Sequence, residues 1–134
     1  MPHVVILYTA NIDHKTDITR LCRALADELL SVRDESGNQP YPTPGTRVLA
    51  IPAPHFAVAD GKGDYGFVYI NVRLARGRSD AVKKTTGDRL LAKAKEHLED
   101  VLLNEPIGIT LQMDESPGQV FDAKDGSLRK LFSR

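Results

Sequence analysis

Four residues carry the chemistry that can be argued for this chain. Pro2 follows Met1, and methionine is normally clipped before a residue as small as proline. The product starts with a secondary amine. An ordinary α-amino group titrates near ~7.7–8.0, and burial beside cationic arginines lowers that value. A neutral amine near pH 7 is a general base, and its conjugate acid returns the proton. A proline in second place is by itself most often an accident of the start, so its meaning depends on what gathers round it. Arg47 opens a strand-forming run, and LARGRS supplies Arg76 and Arg78. Guanidinium grips carboxylate with two prongs, so arginines beside a base point to an anionic, carboxylate-bearing substrate. One arginine alone is usually a solvated surface charge; three that meet a terminal amine are not.

The other reactive side chains offer less. His3, His14, His55 and His97 lack metal-ligand spacing, and His14 and His97 read as ordinary surface histidines. GKGDYG resembles a phosphate loop only in composition, and it precedes a strand rather than a helix, so it is a turn. Cys22 is the single cysteine, which excludes an internal disulfide and a cysteine-based zinc site. It sits in a helical pattern and reads as a structural thiol. The carboxylates are spread along helix faces without an acid–base pair.

The elements that must position the proline and arginines follow from periodicity. HVVILYT (3–9) is a β-branched apolar run, a strand covered on both faces. Ile18, Leu21, Leu25, Leu29 and Val32 recur at spacings of three and four and make one stripe on a helix, with Thr16 or Asp17 as its N-cap. DESGNQPYPTPG is a loop. A second strand starts over Arg47–Ile51 and is disturbed by Pro52 and Pro54. DYGFVYINVRLA alternates, with Phe67, Tyr69 and Asn71 on one face and Val68, Ile70 and Val72 on the other. Ser79 caps a long helix with the stripe Val82, Leu90 or Leu91, Ala94, Leu98, Val101 and Leu102. Gly87 inside it marks close packing. PIGITLQMDE is a fourth strand, and DGSLRKLF is a short terminal helix or an arm.

The order is β-α-β twice, about 2–58 and 64–115, followed by a tail at 116–134. This predicts one α/β (α+β) domain over 1–134, with a four-stranded mixed sheet and two helices on one face. The second strand runs parallel to the first through a right-handed crossover. The third, reached by a turn, runs antiparallel. Pro2, Arg47 and the exit LARGRS therefore meet at one sheet end, where neighbouring strands are only ~4.8 Å apart. The helix start at Ser79 adds an anion site there. The strands are apolar on both faces, so other subunits are expected on the uncovered one.

Bulk composition fits this reading. With 18 Lys+Arg against 18 Asp+Glu the chain has no electrostatic footprint of a nucleic-acid binder. No apolar run reaches the length of a membrane span, and the start lacks a basic signal region. A cytoplasmic protein is expected, with no nucleic-acid or membrane partner.

The start PH, the pair Arg47–Val48, the block ADGKGDYGFV and GRS at 77–79 resemble the 5-carboxymethyl-2-hydroxymuconate isomerase family of the tautomerase superfamily. The resemblance spans nearly the whole chain in element order. It implies a homotrimer of tautomerase-like domains and an isomerase that shifts a proton along a conjugated dienol di- or tricarboxylate in homoprotocatechuate breakdown. It further implies Pro2 as general acid/base, Arg78 as the group that binds carboxylate or stabilises oxyanion charge, and Arg47 as the match to the family's arginine at the start of the second strand, a substrate-binding residue. Arg76 joins them as substrate-binding from its place at the same sheet end, with Arg33 and Arg73 the other arginines open to that role. No metal or organic cofactor is implied, since the substrate is already an activated enol. Gly45 stands where enteric members carry a second arginine. That departure keeps two other readings in view: a non-catalytic trimer that binds small acids, and a tautomerase of another enol such as a phenylpyruvate-like acid.

Overall fold

A computed structural model describes residues 2–133. Four strands form one sheet: β1 (His3–Thr9), β2 (Arg47–Ala53), β3 (Gly66–Leu74) and β4 (Ile107–Glu115). Their order is β2-β1-β3-β4. β1 and β2 are parallel, β1 and β3 antiparallel, β3 and β4 parallel. This is the mixed sheet that two β-α-β units predict. The helices are α1 (Ile18–Ser31), α2 (Asp80–His97) and the short α3 (Glu99–Asn104).

Both long helices begin where the sequence places their caps. The Asp17 carboxylate accepts from the Arg20 N–H at 3.1 Å, and Ser79 Oγ accepts from the Val82 N–H at 3.2 Å. Each satisfies one of the helix's orphan donors. Leu21, Leu25 and Leu29 of α1 and Leu90 and Ala94 of α2 pack on Val4, Ile6, Val68, Ile70 and Val72 of the sheet. Leu90, not Leu91, is the core residue of that pair. A Cβ at Gly87 would lie 3.1 Å from Met113 Sδ on β4, so the expected close packing is there.

Three details depart from the sequence pattern. The long second helix ends at His97; Leu98 leaves helical geometry (φ −95°, ψ 10°) and α3 restarts beyond it. Leu98 and Val101 stay buried, so the break preserves the apolar stripe. At the break His97 Nε2 lies 2.9 Å from the Asp17 carbonyl and 3.2 Å from Thr16 Oγ1. His97 is thus a tie between the end of α2 and the start of α1, not a loose surface group. Pro52 lies within β2 rather than ending it. β2 is an edge strand, where a missing N–H costs little.

The face of the sheet away from the helices holds Leu7, Leu49, Ile51 and Phe67, all at least 36% exposed. Beside them a polar strip is tied together. Tyr69 OH donates to Gln112 Oε1 (2.9 Å), Asn71 Nδ2 to Asp114 Oδ2 (2.7 Å), and Arg73 Nε to Asn71 Oδ1 (2.7 Å). No helix among the described residues is long and apolar enough to cross a membrane.

Candidate active site

Strand register sets the site. His3 is opposite Arg47 on one side and Arg73 on the other, so β1 opens between β2 and β3. Pro2 lies one residue before this rung and is buried. Its carbonyl accepts from the Arg47 N–H at 3.3 Å, which holds the start of the chain in the sheet. The Pro2 carbonyl thus makes the ladder bond that its missing donor could not.

The Arg47 side chain leans on His3. Nη1 lies 3.1 Å from Nε2 and 3.4 Å from Nδ1 of the imidazole. A guanidinium only donates, so the ring presents an unprotonated nitrogen to it. The charge state follows the same logic. Burial, and then the positive charge of Arg47, push the His3 pKa below its ordinary 6.5. His3 is a neutral acceptor at pH 7 for the Arg47 guanidinium.

Arg78 takes a different seat. Its guanidinium lies 4.7 Å from the ring centroid of Tyr41, donates from Nη1 to the Ala75 carbonyl and from Nη2 to the Pro40 carbonyl, each at 3.0 Å. Tyr41 is fully buried. Its hydroxyl meets Thr86 Oγ1 at 2.7 Å, and Thr86 donates its own proton to the Val82 carbonyl at 2.8 Å. One hydroxyl has one proton, so Tyr41 is the donor of the pair. Desolvation raises the Tyr41 pKa, and the phenol stays protonated beneath the cation. The cation–π geometry fixes the direction of the guanidinium.

Arg76 is exposed and turns toward the start of the tail, where a Cβ at Gly118 would lie 3.5 Å from Nη2. Ser79 Oγ donates to Glu35 Oε1 at 2.6 Å, so a carboxylate of the chain itself already sits at the start of α2. The anion site expected there is filled from within. All four sequence-derived residues belong to one end of the sheet. Arg47 joins His3, whereas Arg78 joins Tyr41 and Pro40 and Arg76 lies beside Gly118. The sequence reading passed over His3, Tyr41 and Thr86 as site residues. His3 was within reach, because the parallel register pairs it with Arg47. Tyr41 gave no periodic signal, being one aromatic in a proline-rich loop. Among the described residues no three His, Cys, Asp or Glu side chains are grouped closely enough to hold a metal ion.

A mixed four-stranded sheet made of two β-α-β units, helices on one face and the chain start at its centre, defines a tautomerase-superfamily fold. The model of the family "5-carboxymethyl-2-hydroxymuconate isomerase" matches residues 2–132, and the chain belongs to that family. A crystal structure of a 5-carboxymethyl-2-hydroxymuconate delta-isomerase is 47% identical with a TM-score of 0.95, the match covering 100% of this chain and 94% of that one. A 5-carboxymethyl-2-hydroxymuconate isomerase from Deinococcus radiodurans R1 is 25% identical with a TM-score of 0.84, over 99% and 95% of the two chains. A member of the cis-3-chloroacrylic acid dehalogenase family shares the fold alone, at 12% identity and a TM-score of 0.56 over 98% and 90%. No match was found among curated proteins.

Proposed function

We propose that this protein is an isomerase that moves a proton within a conjugated 2-hydroxymuconate-type dienol acid, with 5-carboxymethyl-2-hydroxymuconate as the substrate to test first. The observation that carries the reading is the placement of Pro2. It is buried at the sheet end where the inner strand β1 begins, pinned through its carbonyl to Arg47, and included in the family match. Removal of Met1, which lies outside the described residues, creates the amine. The neutral amine takes the 2-hydroxyl proton. Electrons flow from the enolate oxygen through the diene, and the prolinium returns a proton to the terminal carbon. The product is the conjugated ketone, and the amine is neutral again. Arg47 and Arg76 bind carboxylate. Arg78, held rigid by Tyr41 and two carbonyls, faces the charge that builds on the reacting acid.

Assembly belongs to the same proposal. The exposed apolar strip Leu7, Leu49, Ile51 and Phe67 is the contact face of a homotrimer.

The test is ketonisation of the dienol by protein shown by mass spectrometry to begin at Pro2. Pro2→Ala exchanges the secondary amine for a more mobile primary amine and should lower kcat, by up to the roughly 10²–10⁴-fold that a positioned acid/base group contributes. Arg78→Ala should also be slow. Unchanged rates in both variants would sink the mechanism. Tight dicarboxylate binding without turnover by the unmutated protein would mark a binding protein instead.

A further inference from the structure

We infer that Arg129, on the C-terminal tail, is a specificity-determining residue that works with Arg47 as the second guanidinium of a dicarboxylate pocket; this rests on the proposed activity toward acidic dienols. A cavity of about 380 Å³ lies between His3, Pro44 and Arg47 on one wall and the tail residues Lys124, Leu128 and Arg129 on the other. That volume is in the range of small-ligand sites.

The tail is exposed along its length, but it is shaped, and Leu128 and Phe132 are each about half covered. Arg129–Phe132 form a 3₁₀ turn, closed by the Lys130 N–H on the Ser127 carbonyl (3.1 Å) and the Leu131 N–H on the Leu128 carbonyl (3.2 Å). Leu128 and Phe132, one turn apart, line a groove with Cys22, Ala26 and Val48 between α1 and β2. With these two half covered there, Arg129 lies on the lining of the neighbouring cavity.

The charges of the cavity are unequal in availability. Asp122 and Asp125 also line it. Asp122 is spent on Lys124 at 2.6 Å, and Asp125 Oδ1 accepts from the Gly126 N–H at 2.7 Å. Among the described residues the Arg129 guanidinium has no hydrogen bond or ion pair, and the Arg47 guanidinium has only the neutral His3. Arg47, Lys124 and Arg129 outnumber Asp122 and Asp125 on the cavity lining by one charge, and with Lys124 held on Asp122 the two guanidiniums are the groups left to attract an anion with acceptors at both ends. A muconate-type acid has a carboxylate at each end of a rigid diene. A monocarboxylate of the same skeleton would use one arginine and leave the other in water.

The test uses trans,trans-muconate and its monocarboxylate analogue sorbate as calorimetric probes on protein beginning at Pro2. Arg129→Ala should weaken muconate binding about tenfold, the low end for a charged hydrogen bond at a partly open site, and leave sorbate within twofold. Arg129→Lys should recover part of the loss. Equal loss for both acids, or loss for neither, overturns the inference. Because the readout is binding, it stands whether or not the dienol is turned over. Kinetics on the dienol then report separately: a variant with raised KM and unchanged kcat agrees with an arginine that binds but does not react, and a fall in kcat at unchanged KM overturns that role.

Discussion

His3 is the residue where site electrostatics can be read directly. Its folded pKa lies below 6.5, with burial the larger cause and Arg47 the next. Between the folded value and 6.5 the unfolded chain binds more protons, so this residue's contribution to stability falls as pH drops through that window and is flat above it. An NMR titration of the imidazole should give a midpoint below 6.5. Arg47→Ala should raise the midpoint only part of the way, because burial remains. A midpoint at or above 6.5 in the unmutated protein would contradict the assigned geometry. Thr86 offers a second test at this scale. Thr86→Val removes the only hydrogen-bond partner that the buried Tyr41 hydroxyl has among the described residues. It should cost about 1–3 kcal/mol in denaturant unfolding, and the ring that carries Arg78 loses its anchor.

At the scale of elements, periodicity made the sheet and the helices legible before any coordinates. The run 3–9, the stripe from Ile18 to Val32 and the alternation across Phe67–Val72 each had a single period, and each became the expected element. Where one position answers to contacts from two elements, periodicity fails. His97 reads as surface on α2, yet its partners are on the opening turn of α1, eighty residues away in sequence. The break after it leaves no signal, because Leu98 and Val101 keep helical spacing. Arg47 and the GRS segment were legible from strand direction alone, whereas the seat of Arg78 on Tyr41 depends on how a loop without pattern folds back. Gly87 tests the contact that pattern did reveal. Gly87→Ala gains helical propensity of roughly 1 kcal/mol and needs only a small shift of a flexible thioether, so its net effect should be near zero or mildly stabilising. Gly87→Val drives a branched side chain into Met113 and should cost about 1–3 kcal/mol by thermal or denaturant melts.

At the scale of the whole molecule, the two faces of the sheet have different fates. One is closed by α1 and α2. The other exposes Leu49 at 57% and Ile51 at 50%, next to a strip in which Tyr69, Asn71, Arg73, Gln112 and Asp114 already satisfy one another. A face whose polar groups are tied in place and whose apolar groups are bare suits a rigid partner of the same kind. On the trimer proposed above, Leu49→Lys combined with Ile51→Lys should shift sedimentation velocity toward monomer while circular dichroism keeps the helical signal. A trimer that survives both lysines would move the interface elsewhere.

β1 precedes the other three strands in the chain and is one of the two, with β3, that are flanked on both sides in the finished sheet. Its consequence falls on the chain while it is still being synthesised. Val4 pairs with Val48 and with Val72, the latter about 70 residues further on. At ribosomal speeds of 5–20 residues per second, the VVILY run waits roughly 3–14 s for its second neighbour. For that interval a short β-prone segment carries an open backbone edge, the signature of an aggregation hazard. A strand paired on both sides in the folded protein is thus unpaired for seconds on the ribosome, and nascent chains that carry it should depend on a chaperone that masks VVILY, which crosslinking to stalled chains would detect.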